Sequence, residues 1–173
     1  MTTHIKKILY ATDLSKNSSY ALFYAVDMAS RYDARIVILH AIEPIPPHIM
    51  GRLEGYDYQG ALKNVQLKRR EEEIEEIKNR IQEFCKKGED QVGHRCLELI
   101  SKIMVPLGHP VEEILNAANQ EECDAIVLGT HGKGFLAHTF LGSVSSGVLH
   151  RTLKPIFIIP VPSEKAAIDL GEI

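Results

Sequence analysis

Apolar residues gather in short continuous runs along this chain, and between the runs their spacing turns helical. The first run, 6–12, ends at Thr12 and Asp13. Nearly unbroken apolar runs suit strands buried on both faces of a parallel sheet. Asp13 and Ser15 follow, and both side chains can satisfy open amides at a helix start. Over 18–32, Ala21, Leu22, Ala25, Val26 and Ala29 recur at helical spacing. The β-branched run at 34–43 predicts a second strand. The opening therefore reads β-α-β, with a crossover long enough for a parallel pair.

Residues 44–60 break the pattern with three prolines and three glycines. Neither a central strand nor a helix continues through such a stretch, so a long loop or insert is expected. Long loops inside compact domains are often lids or contact surfaces. Over 61–87, Leu67, Ile74, Ile77, Ile81 and Phe84 share one helical stripe, and KRREEEIEE supplies the opposite face. That charge density predicts a solvated face, with Glu76 and Arg80 as a favourable i, i+4 pair. A helix of about 26 residues spans about 40 Å and overhangs one strand layer.

Residues 96–105 read as the third strand. GHPVEEILNAANQEE then offers Pro110 and two glutamates at a helix start, with Val111, Ile114, Leu115 and Ala118 on one face. A fourth strand is expected at 124–130, a helix at 143–153 and a fifth strand at 155–161. The alternation predicts an open, doubly wound, five-stranded parallel sheet with helices on both faces. Right-handed crossovers restrict its topology, and the order 3-2-1-4-5 is expected. The length of 173 residues predicts one domain over 1–173, with the insert at about 44–95.

Composition narrows the class. Hydrophobic residues at 45% and charged residues at 25% are ordinary for a soluble globular protein. The formal net charge of −3 argues against a general nucleic-acid binder. No apolar run approaches the roughly 20 residues of a membrane helix. The N-terminal apolar run is too short for a signal-peptide core. Three cysteines, Cys85, Cys96 and Cys123, without CxxC spacing, predict reduced thiols in a cytoplasmic protein.

The stretch GTHGKGFLAHTFLGSVSSGV, 129–148, holds five of the chain's 12 glycines. Glycine lets backbone amides approach a ligand closely. A helix start leaves about four N–H groups open and carries partial positive charge. A strand ending at Gly129, then Gly132, Gly142 and a helix led by Ser143 form a candidate phosphate cradle. Ser143 and Ser145 add hydroxyls. The alternative is a plain loop with Ser143 as helix cap. In open α/β sheets, ligands sit beyond the carboxyl ends of the strands where the order reverses. Here that reversal lies between strand 1, ending Ala11-Thr12-Asp13, and strand 4, ending Leu128-Gly129-Thr130. Thr12 and Asp13 also suit a turn and cap. Neither a Walker A loop nor GxGxxG after strand 1 is present.

The spacing G-x2-G-x9-G-S, as Gly129, Gly132, Gly142 and Ser143, resembles the nucleotide motif of the universal stress protein family. KILYATDLS, VILHAIEP, GHPVEEIL, DAIVLGTHGKG and LGSVSSGVLHRTLKPIFIIPV resemble it too, in order, leaving only 44–95 and the tail uncovered. Ala11 stands where many members have proline. The resemblance implies a Rossmann-like fold of the adenine nucleotide α-hydrolase-like kind. It also implies an ATP-binding regulator (AMP or ADP being alternatives), with Mg2+ or Mn2+ held through the phosphates. Ala11, Thr12 and Asp13 are then expected to face the adenosine, the Ala41 backbone the adenine edge, and Leu128 and Gly129 the ribose. Gly132, Gly142, Ser143, Val144 and Ser145 are expected to hold the phosphates. A homodimer through 155–161 is implied, and an apolar edge strand needs such cover.

His131, between two motif glycines, is a candidate phosphate contact, as is Lys133. His40 reads as a hydrogen-bonded core histidine. The remaining histidines lack metal-site spacing, and no serine-hydrolase elbow occurs. With no evident base or nucleophile, any ATP hydrolysis is expected to be slow. The rival reading is an enzyme that uses ATP to activate a second substrate; a third is a scaffold that no longer binds nucleotide.

Overall fold

The computed structural model describes residues 4–44, 58–87, 96–130 and 141–160. In chain order its elements are β1 (Lys7–Ala11), α1 (Lys16–Tyr32), β2 (Arg35–Leu39), α2 (Tyr58–Lys87), α3 (Cys96–Leu99), β3 (Ile100–Met104), α4 (Pro110–Gln120), β4 (Ala125–Gly129), α5 (Ser143–Arg151) and β5 (Ile156–Ile159). The five strands form one sheet in the order β3-β2-β1-β4-β5, and all four pairings are parallel. This is the expected Rossmann-like α/β arrangement.

The pleat explains why the central strands are apolar throughout. Ile8 and Tyr10 point into one core with Leu22, Val26, Ile77 and Phe84, which come from α1 and α2. Leu9 and Ala11 point to the other face, among Val111, Ile114, Ala118 and Val148 of α4 and α5. Successive strand residues face opposite sides, so a strand covered on both faces has no position for a polar residue. β3 and β5 sit at the edges and are only half-buried.

Three local expectations need correction. Residues 96–99 form a helical turn, not the start of β3. Cys96 and Leu99, at i and i+3, are both buried in the α1–α2 core, while Leu97 and Glu98 face solvent. The expectation of three reduced thiols also fails. Cys85 and Cys96 form a disulfide with their Cα atoms 5.6 Å apart, well inside bonding range. Counting cysteines misses a pair that folding brings together. Cys123 remains free and buried, and burial pushes its thiol up to about 11.

The third correction concerns α2. Its apolar stripe is buried only from Ile77 onward, through Ile81 and Phe84, whereas Leu67 is exposed. The expected overhang is therefore its N-terminal half. The charged face at 68–76 is solvated as expected, with only Glu73 half-buried among its charges, and Arg69, Glu73 and Glu76 on it also line the crevice beyond the carboxyl ends of the strands.

Candidate functional site

The turn after β1 is built from its own side chains. The Thr12 amide donates to the Leu39 carbonyl at 2.9 Å, extending the β1–β2 pairing by one bond. Thr12 Oγ1 accepts from the Leu14 amide at 3.0 Å and donates to Ser18 Oγ at 2.9 Å. Asp13 Oδ1 accepts from both the amide and the hydroxyl of Ser15, at 3.1 and 2.6 Å. Ser15 in turn caps α1, accepting from the Ser18 amide. Leu14 lies in the left-handed region at φ 63°, unusual for a side chain of its bulk. The hydrogen bonds around it hold that conformation. Beneath the turn, the Tyr10 hydroxyl donates to the Ser18 carbonyl at 2.6 Å. Burial raises this phenol well above its usual range. Thr12 and Asp13 thus form the turn and cap that their sequence position allows.

A second segment faces this turn. The Thr130 amide donates to Ile159 and its carbonyl accepts from the Gly142 amide at 2.7 Å. Helix α5 therefore starts beside the end of β4. Gly142 is its N-cap residue, in an extended conformation at φ −64° and ψ 157°, and among the described residues no side chain caps the helix. The first-turn amides of Ser143, Val144 and Ser145 are the open donors that a helix start leaves, at its electropositive end. The Ser145 hydroxyl donates to the Gly129 carbonyl at 2.7 Å, so this hydroxyl positions the helix. Gly147 sets how close α5 lies to α4: a Cβ there would sit 2.8 Å from Val111 Cγ2.

The end of β2 forms a third side. Ile42 pairs with Leu107 in an isolated parallel bridge, which fixes the backbone around Ala41. His40 Nδ1 lies 2.9 Å from the Thr12 carbonyl and therefore donates to it. Its Nε2 lies 3.9 Å from Glu73 Oε2 on α2. His40 is hydrogen-bonded as expected, yet it lies on the crevice wall.

These segments enclose one crevice of about 520 Å³, within the usual range for small-molecule and cofactor sites. Ala11, Thr12 and Asp13 line it from β1, and Ala41 from the end of β2. Leu128 and Gly129 line it from β4, and Gly142, Ser143, Val144 and Ser145 from the start of α5. Ten of the twelve expected residues thus share one space. His131 and Gly132 lie outside the described residues.

Sequence reasoning missed the fourth wall. Arg69, Glu73, Glu76 and Arg80 of α2 also line the crevice. Arg80 Nη1 donates to the Leu14 carbonyl at 3.1 Å, and Arg80 also pairs with Glu76. A usable signal existed: positions 69, 73, 76 and 80 are spaced 4, 3 and 4 apart, one helical stripe beside the buried one. Among the described residues, no group of three or more His, Cys, Asp or Glu is arranged to hold a metal ion.

Residues 4–160 match the universal stress protein family. Universal stress protein MJ0577 of Methanocaldococcus jannaschii is 29% identical over 163 residues, covering 92% of this chain and 97% of that protein. Its solved structure superposes with a TM-score of 0.67 at 28% identity, covering 93% of this chain and 99% of that one. A universal stress protein of Thermus aquaticus is 32% identical over 155 residues, covering 89% of this chain and 98% of that protein. A universal stress protein solved in complex with cAMP shares the fold at 20% identity, with a TM-score of 0.55 and coverage of 92% of this chain and 100% of that one.

Proposed function

The chain belongs to the universal stress protein family, and from that premise we propose that its crevice binds ATP and that the bound nucleotide sets its activity as a stress-response regulator. One observation supports this reading above the others. The locked Thr12–Asp13 turn and the uncapped start of α5 face one crevice, on either side of the point where the sheet order reverses. Open helix-start amides favour phosphate, and the reversal point is where open α/β sheets bind ligands.

In this reading Ala11, Thr12 and Asp13 face the adenosine, the Ala41 backbone meets the adenine edge, and Leu128 and Gly129 border the ribose. The amides of Gly142, Ser143, Val144 and Ser145 hold the phosphates, joined by His131 and Gly132 from the segment between β4 and α5. A Mg2+ or Mn2+ ion rides on the phosphates. Turnover is slow at most, and the signal is a shift in conformational population on binding. The test is calorimetry with ATP and AMP on purified protein, together with mass spectrometry of the denatured protein for carried-over nucleotide. Micromolar or tighter ATP binding is expected; binding of neither nucleotide removes the reading. Rapid multiple-turnover release of ADP, AMP or pyrophosphate would instead favour an activating enzyme.

The proposal extends to a cytoplasmic homodimer through β5. This edge strand carries half-exposed Ile156, Phe157, Ile158 and Ile159, and Leu153 beside it is fully exposed. An uncovered apolar edge invites pairing. Sedimentation should give a dimer, and Ile158→Lys should give a monomer.

A further inference from the structure

Helix α2 is held along only half its length. Among the described side chains, those of its first half are largely exposed, and the buried ones are Ile77, Ile81, Phe84 and Cys85, all in the second half. The crevice-lining stripe, Arg69 to Arg80, begins in the unsupported half. How firmly that stripe presses on the crevice depends on the anchorage of the C-terminal end. There, Cys85 is bonded to Cys96, the first residue of α3, which leads directly into β3. Arg80 precedes Cys85 by five residues, about 7.5 Å along the helix axis.

We propose that the Cys85–Cys96 bond is a redox-operated fastening for α2 and so regulates ligand affinity at the crevice. Intact, it ties the last turn of α2 to the sheet and keeps Arg80 on the Leu14 carbonyl and Glu73 beside His40. Reduced, it leaves α2 held by Ile77, Ile81 and Phe84, with Ile74 half-buried beside them and the Arg80 hydrogen bond, and the wall loosens. The reductant is a small-molecule or protein thiol. Its thiolate attacks one sulfur, forming a mixed disulfide and releasing the other cysteine as a thiolate, which takes up a proton. A second thiol of the reductant displaces the first cysteine. Two electrons and two protons enter the protein, and one disulfide of the reductant leaves. A small-molecule disulfide reverses the exchange. Cys123 has no part, since it packs with Val111, Ile114 and Ala118 in the core on the other face of the sheet from Cys85 and Cys96. A cytoplasmic setting fits this role, because disulfides there are chiefly transient and redox-sensing.

This inference rests on the nucleotide reading, so its test carries a readout that needs no nucleotide. The full chain is compared oxidised and after dithiothreitol treatment. Alkylation under denaturing conditions should count one free thiol and then three. Hydrogen exchange should show α2 amides around 73–84 losing protection on reduction. Calorimetry with Mg2+-ATP should show affinity falling at least about fivefold, the lower end of typical coupling between sites, and returning on reoxidation. Cys85→Ser/Cys96→Ser should match the reduced form and ignore dithiothreitol; if that variant fails to fold, the reversible comparison on the natural chain stands alone. Three free thiols under oxidising conditions, or equal affinity and exchange in both forms, would overturn the proposal. Loss of α2 protection with no ATP binding in either form would support the fastening and discard the nucleotide reading instead.

Discussion

The crevice has two kinds of wall, and they follow different rules. The wall from β1, β4 and α5 is backbone: strand ends, a tight turn and open helix-start amides. The wall from α2 is side chain: Arg69, Glu73, Glu76 and Arg80 line it from a helix whose described N-terminal side chains are largely exposed. Backbone donors are placed by the sheet and cost little further ordering. Long charged side chains lose rotamer freedom when they are held, and exposed charge pairs return little. The backbone wall should therefore carry most of the binding free energy, and the α2 wall should tune it.

Ser143→Pro tests that ranking most sharply. Proline is tolerated at the first helical position, and Gly142 already has the extended backbone that a following proline requires. The change removes one amide and one hydroxyl from the crevice. A lost hydrogen bond to a charged group costs about 1.5–3 kcal/mol, so ATP affinity should fall about tenfold to a hundredfold. The thermal midpoint should barely move. Unchanged affinity would remove α5 from the site.

Gly147→Ala is next and acts on stability. The added methyl meets Val111 Cγ2 at 2.8 Å. Overpacking costs about 1–3 kcal/mol, less up to about 1 kcal/mol from better helix propensity. A lower denaturant midpoint is expected, with weaker ATP binding as α5 is pushed out. A stabilised variant would mean that α4 and α5 yield freely.

Arg80→Met probes the other wall. It removes the bond to the Leu14 carbonyl, which solvent at this partly exposed side chain brings below the range of a dry charged bond, to about 1 kcal/mol. Unfolding free energy should drop by about that much, while ATP affinity changes by less than about fivefold. A larger affinity loss than for Ser143→Pro would reverse the ranking of the walls.

The smallest effect is expected far from the crevice. The Arg151 hydrogen bond holds the Glu112 carboxyl below its usual range. A carboxylate with a lowered folded value contributes stability above its ordinary pKa and loses it as pH falls through the lowered one. Arg151→Met should slightly shrink the drop in thermal midpoint between about pH 7 and about pH 3. Both groups are exposed, so added salt should erase the difference.

Local pattern was a reliable guide wherever the backbone makes the structure. The buried strands, the capped start of α1, Pro110 at the head of α4 and the glycine-to-helix start at Ser143 were all legible, because each obeys a short-range rule. The misreadings involve side chains meeting partners distant in the chain. Cys96 looks like the start of a strand until its packing against α1 and α2 is known. KRREEEIEE is solvated, as its charge density says, but that density says nothing about the crevice its Arg69, Glu73 and Glu76 line.

Apolar periodicity and turn chemistry were sufficient to specify a five-stranded parallel sheet and to mark the ends of β1 and β4 as walls of one crevice. They act within a few residues and leave a trace in one dimension. Tertiary structure alone decided that Cys85 meets Cys96, that His40 bridges Thr12 and Glu73, and that α2 closes one side of the crevice. Those contacts depend on the angle at which a long helix settles on the sheet, and that angle is a property of the whole packed core.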